Sequence, residues 1–143
     1  MQAFTLTKKA DDFYTTSRAF DFIRFPLIKP YQVMNIPHQN EQWDITMVPQ
    51  NGMEDIRAGN VVKLSVVDSV IFAVCGDSTI YKDHWVKAAW FIIIPRQKKE
   101  ESFLSEVDFN RYIKANKLPI PQWIEPARVW NEFDTSNKLP WLK

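Results

Sequence analysis

Two runs in this chain, Val70 to Cys75 and Trp85 to Ile94, are apolar on both parities instead of on alternate residues. A strand that shows one face to water alternates, whereas a strand without alternation has cover on both faces. These runs therefore require a layered fold with a central sheet. Cys75-Gly76-Asp77-Ser78 and Tyr81-Lys82-Asp83-His84 form the connection between them.

Other segments read as flanking strands. Phe22 to Ile28 ends at the proline-flanked Lys29-Pro30-Tyr31. Gln42 to Val48 alternates, with Trp43, Ile45 and Met47 pointing one way and Asp44 and Thr46 the other, as in a half-buried strand. Asn51-Gly52 is a strong turn signal, and Ile56 to Asn60 reads as a second turn leading into Val61 to Val67. There Val62, Leu64 and Val66 are expected inward, and Lys63 and Ser65 outward. Lys8 to Phe20 reads as a short helix opened by Asp11 or Asp12, weakened by Thr15 and Thr16.

The period changes in the last third. Ser105 caps a helix with Asp108 at the reciprocal position, and Leu104 is placed to staple onto Phe109. Phe109, Tyr112, Ile113 and Asn116 share one side, and Pro119 prevents continuation. A second helix starts at Pro126, where the missing N–H costs nothing, with Val129, Trp130 and Phe133 as its apolar stripe. The tail Leu139-Pro140-Trp141-Leu142 is apolar enough to dock on the sheet. Strands first and helices last specify an α+β fold, a mostly antiparallel sheet with C-terminal helices packed on one face. At 143 residues this is one domain, spanning 1–143.

Composition narrows the function classes. The 18 basic and 17 acidic residues leave a net charge of +1. No broad field then steers polyanions, which disfavours nucleic-acid binding. Arg96-Gln97-Lys98-Lys99 is the one dense basic run, with Trp90 or Tyr81 as stacking partners, but it leads directly into Glu100-Glu101. That acidic pair and Asp11-Asp12 read as solvated surface. The single cysteine excludes an internal disulfide and suits a reducing compartment. The N-terminus has no basic segment followed by an apolar one, and the longest apolar run, Ala88 to Pro95, is far short of the ~20 residues of a membrane span. A cytoplasmic protein without membrane contact is expected. The chain has three glycines and nine prolines, which predicts stiff connections and few turns with positive φ.

Catalytic equipment is sparse. Cys75, Asp77, Asp83 and His84 are the cluster that most resembles a reactive site, since a thiol near an imidazole can become a thiolate. The plainer reading of Cys75 is a buried residue at a strand end. His38 lies in a polar loop, and the chain owns too few Cys and His for a closed zinc site. No dinucleotide, phosphate-loop, nucleophile-elbow or zincin motif occurs, so neither cofactor nor metal is expected.

Six tryptophans are more than one small core needs, and Trp is favoured at partner-binding anchors. Trp43, Trp123 and Trp141 are the candidates for exposed anchors. Tyr81, Trp85 and Trp90 are the candidates for lining a sugar or nucleotide pocket.

The segments Phe25-Pro26-Leu27-Ile28-Lys29-Pro30-Tyr31, Ala89-Trp90-Phe91-Ile92-Ile93-Ile94-Pro95, Phe103-Leu104-Ser105-Glu106-Val107-Asp108-Phe109 and Leu139-Pro140-Trp141 resemble, in style, the small α+β immunity proteins of bacterial toxin systems. The likeness extends loosely over most of the chain and carries no site residue with it. It implies a protein that masks a partner; the near-zero charge makes a nuclease the less comfortable partner. The leading expectation is a non-enzymatic protein-binding module. The alternatives are a small-ligand domain and a cysteine-dependent enzyme using Cys75 and His84.

Overall fold

The computed structural model describes residues 12–19, 22–35, 42–48, 56–77 and 79–142. A five-stranded sheet runs in the order β1-β2-β3-β4-β5, from Arg18–Ala19, Phe22–Pro26, Tyr31–Asn35, Trp43–Met47 and Ile56–Ala58. A four-stranded sheet follows, in the order β11-β10-β7-β6. Its strands are β6 (Val61–Val67), β7 (Val70–Cys75), β10 (Ala89–Ile94) and β11 (Lys99–Phe103). Between β7 and β10 the chain makes a separate hairpin, β8 (Thr79–Tyr81) with β9 (His84–Val86). All of these pairings are antiparallel. Two helices close the fold, α1 (Glu106–Ala115) and α2 (Pro126–Ser136). The α+β class with antiparallel sheets is as expected; the division into two sheets adds to it.

The unalternated runs have a simple cause. Ile71, Ala73, Cys75, Ala89, Phe91 and Ile93 enter one core with Phe25, Val33 and Ile45 of the first sheet. Val70, Phe72, Ile92 and Ile94 point the other way, onto Phe109 and Ile113 of α1. The second sheet is thus covered on both faces. Val129 and Phe133 of α2 and Leu139 of the tail complete the main core. The tail does dock: the Trp141 indole donates to the Pro26 carbonyl at 3.0 Å.

The helices end as the sequence indicates. Ser105 Oγ accepts from the Asp108 amide at 3.1 Å, a satisfied N-cap. Asn137 takes φ 58° after α2 and donates its N–H to the Phe133 carbonyl at 2.7 Å. The staple differs. Leu104 stays exposed, and Phe103 instead packs on Phe109 with centroids 6.1 Å apart, because β11 delivers residue 103 to the inner side.

Several expectations are corrected. Trp85–Ile94 is not one strand, for it breaks at Lys87-Ala88 and Trp85 belongs to the hairpin. Val62 is exposed because a bulge between Val61 and Lys63 takes it out of step with Leu64 and Val66, which do face inward. Ser65, on the other side of β6, is buried because that face is covered too, and its Oγ accepts the Gln122 N–H at 2.8 Å. Ile56 to Ala58 is a strand, and the turn occupies Gly59 and Asn60 alone. Strands β3 and β11 carry too little alternation to be read. Of the helix expected over Lys8 to Phe20, the described residues form a 3-10 turn at Asp12–Tyr14 and then β1; the rest of that segment and the Asn51-Gly52 turn lie outside the described residues.

Thr46 is fully buried, not solvent-facing. On that side Arg24 donates to Gln32, and Gln32 Nε2 donates to Thr46 Oγ1 at 3.1 Å, a polar relay across three strands. Positive φ is also common despite the scarcity of glycine. Asp68-Ser69 (φ 49° and 66°) and Lys82-Asp83 (φ 47° and 69°) each turn a two-residue hairpin. Such loops need positive φ at both central residues to match the strand twist, and the flanking packing holds non-glycine residues there.

Candidate functional site

The β8–β9 hairpin has two unlike faces. Its register pairs Thr79 with Val86, Ile80 with Trp85 and Tyr81 with His84, and paired residues share a face. Thr79 is buried and Val86 packs on the main core, so that face holds the hairpin to the body. The Asn60 side chain bonds the Asp77 carbonyl, and Gly76 N–H donates to the Asn60 carbonyl at 2.9 Å. A Cβ at Gly76 would stand 3.1 Å from a Val62 methyl, so glycine allows this close approach. The opposite face carries Ile80 at 49% exposure and Trp85 at 71%. Burial of both would remove large apolar area from water, and nothing among the described residues covers them.

The hairpin also walls a cleft of about 210 Å³ with Ile80, Tyr81 and Lys82. Phe91 and Ile93 of β10 make its apolar side. The register places Ser102 beside Phe91 and Glu100 beside Ile93, so both polar side chains share that face. Glu101 and, from β5, Arg57 complete the lining. The Tyr31 hydroxyl donates to Glu100 Oε2 at 2.6 Å, and Arg57 Nε lies 3.8 Å from the same oxygen. That distance is an ion pair and not a hydrogen bond, and the buried Nε has no hydrogen-bond partner among the described residues. Burial, chiefly, and then the Glu100 hydrogen bond and charge push the Tyr31 phenol above its ordinary pKa, while Arg57 pulls weakly the other way. Lys82 Nζ sits 5.3 Å from the Tyr81 ring.

The sequence candidates are scattered. Tyr81 lines the cleft, Trp85 is outside on the hairpin, and Trp90 packs against the second core on the far face of β10. These three do not form one pocket. Trp43 packs on the main core beside Phe25, with centroids 6.0 Å apart, and Trp141 is held by Pro26. Both are half-buried structural residues. Trp123 is 38% exposed, stacks on Phe109 with centroids 6.0 Å apart, and borders a shallow depression with Lys63 and Arg128.

Cys75 is fully buried, and burial pushes its thiol up to about 12 against a smaller opposing pull from Thr79. His84 is exposed beside the hairpin turn, and no hydrogen bond joins the two among the described residues. A neutral, enclosed thiol is a poor nucleophile. Among the described residues no three His, Cys, Asp or Glu side chains gather as metal ligands; His38 lies outside them. No helix among them is long and apolar enough to cross a membrane. Arg96 to Lys99 is exposed, and Trp90, opposite Phe103, stands four residues along the sheet from Lys99, roughly 13 Å away. It is no stacking partner for that run.

Sequence reasoning missed Tyr31, Arg57 and Glu100. Glu100 reads as surface because its hydroxyl partner is 69 residues away. Comparison with family models, with curated proteins and with solved structures returned no match.

Proposed function

We propose that this protein is a non-enzymatic binding module that presents the outer face of the β8–β9 hairpin to another protein. The observation that carries the reading is Trp85, 71% exposed beside Ile80 on a hairpin whose other face is anchored in the core. Trp is among the residues that most often dominate the energy of protein interfaces, and here it stands exposed on a hairpin whose other face is packed. The role of anchor thereby passes from Trp43 and Trp141, which are occupied in packing, to Trp85. Masking of a partner, as in the immunity proteins the chain resembles in style, is the biological form this reading takes.

The test is a tagged full-length chain expressed in its native host, followed by reconstitution of any stoichiometric partner from purified components. Trp85→Ala should weaken that complex by about 30-fold, as expected for an anchor worth roughly 2 kcal/mol. Its unfolding midpoint should stay at the wild-type value. A reconstituted complex indifferent to Trp85→Ala and Ile80→Ser would overturn the assignment of the surface. Concentration-dependent self-association of the purified chain that Trp85→Ala abolishes would replace the foreign partner by a second copy.

A further inference from the structure

We infer that the partner presents an extended acidic segment that adds to β8 as a further strand, with a carboxylate side chain in the cleft beside Arg57 and Lys82. This occupant presupposes the docking surface proposed for the hairpin and gives it a chemistry.

Lys82-Asp83, with positive φ at both residues, is a two-residue turn, so the flanking pair Tyr81 and His84 is the hydrogen-bonded one. Hydrogen-bonded and non-hydrogen-bonded pairs alternate along an antiparallel ladder. Ile80 and Trp85 are therefore a non-hydrogen-bonded pair, and the N–H and C=O of Ile80 point away from β9, off the outer edge of β8. Among the described residues no strand pairs with that edge. The edges of the four-stranded sheet are guarded. Leu64 of β6 exchanges both backbone bonds with Ile124 at 2.9 Å, and β11 carries Lys99, Glu100 and Glu101. The strand Thr79-Ile80-Tyr81 has neither charge nor proline.

The cleft lies along the same edge. Consecutive residues of a strand point to opposite faces, so a cleft lined by Ile80, Tyr81 and Lys82, and by no residue of β9, follows the outer edge of β8. A strand added there puts the residue opposite Ile80 on the outer face, where an apolar side chain extends the Ile80 and Trp85 surface. The residues before and after it turn inward, to the cleft. Its volume of about 210 Å³ suits a side chain and is below the roughly 300 Å³ at which pockets for organic ligands begin. Charge selects the side chain. Tyr31 holds the Glu100 carboxylate, and Glu101, which the register pairs with Ile92, points to the α1 face. Arg57 and Lys82 leave the lining net basic, and the 3.8 Å ion pair to Glu100 is loose enough for the Arg57 guanidinium to take a second carboxylate. An Asp or Glu of the added strand is attracted there, and a Lys or Arg is repelled.

The experiment titrates the full chain with the peptide acetyl-Thr-Glu-Val-Glu-Val-Glu-Val-Thr-amide and follows the amide shifts. The peptide should bind saturably, with shifts centred on Arg57 and on Thr79 to Lys82. One analogue replaces each Glu by Lys, and a second has N-methylated valines that cannot donate to β8. Each should bind at least about tenfold more weakly. Lys82→Glu should erase the preference for the Glu peptide over the Lys peptide. Ile80→Pro deletes the outward N–H and leaves the hairpin's own bonds intact, so it should bind at least about tenfold more weakly than Ile80→Ala, which keeps that N–H. No saturable binding at millimolar peptide overturns the inference, as do shifts centred away from the β8 edge. Equal binding of the N-methylated peptide, a result that needs no variant to fold, overturns it as well. Self-association of the chain that Ile80→Pro abolishes would make a second copy the occupant and overturn the acidic segment. A partner complex that depends on Trp85, from a chain that binds no peptide, leaves the docking surface standing and overturns this inference alone.

Discussion

The Tyr31 hydroxyl donates a 2.6 Å hydrogen bond to Glu100 Oε2, which joins the first residue of β3 to the edge strand β11 of the other sheet. This polar contact spans the two sheets where their apolar packing gives way to the cleft. Tyr31→Phe keeps the ring and removes the bond, so it should lower the unfolding free energy by about 1.5 kcal/mol, with an unchanged denaturant slope in urea titration.

The same phenol predicts an alkaline instability. Burial first, then Glu100, holds the Tyr31 pKa above 10.0 in the folded chain. The folded state therefore keeps this proton where the unfolded state releases it. The stabilisation is complete below the unfolded value of 10.0 and is lost as pH rises past it toward the folded value. Melting temperatures measured from pH 8 to 11 should fall less steeply in Tyr31→Phe than in the wild type. Equal slopes would mean that the phenol is not held this way.

Cys75 should be chemically silent in the native chain. Raised from 9.0 to about 12 chiefly by burial, its thiol supplies about a thousandfold less thiolate at pH 8 than in the unfolded chain. Iodoacetamide labelling should be slow in buffer and fast in 6 M guanidinium. Cys75→Ser places a hydroxyl in the same apolar site and should cost about 1–3 kcal/mol. Rapid native labelling would reopen the cysteine-enzyme reading.

Phe109 is the hub of the outer layer, touching Phe72, Phe103 and Trp123 at centroid distances of 6.0, 6.1 and 6.0 Å. Phe109→Ala should cost about 3–4 kcal/mol through the cavity it leaves. It should also change the tryptophan emission, since Trp123 loses the ring it stacks on. A loss under 1 kcal/mol would show that α1 contributes little to the fold.

At the start of α1, Ser105→Ala removes the acceptor that satisfies the Asp108 amide and should destabilise by about 1 kcal/mol. Ser105→Asp restores an acceptor and should recover most of the loss in the same urea titration.

What the sequence by itself determined were the features that depend on near neighbours along the chain. Ser105 and Asp108 are three residues apart, Pro126 opens its own helix, and the apolar runs Val70 to Cys75 and Trp85 to Ile94 declare a sheet covered on both sides. The tail, too apolar to be left in water, had to dock. Local periodicity, capping chemistry and burial requirement act within a few residues, so they are written in the order of the letters.

Only the tertiary structure decided the rest. Whether Val62, Ser65 and Thr46 are buried depends on a bulge in β6, on the Gln122 backbone that covers Ser65 from 57 positions away, and on a relay that begins at Arg24. Whether Trp85 is core or surface depends on a break at Lys87-Ala88 that hands it to a hairpin. Glu100, one of a pair of adjacent glutamates in the sequence, gains its role from Tyr31 and Arg57, 69 and 43 positions away. Contacts of that separation are set by how two sheets cross and by which edge each presents. No local pattern records that geometry, because the free energy that fixes it belongs to the packed layers together.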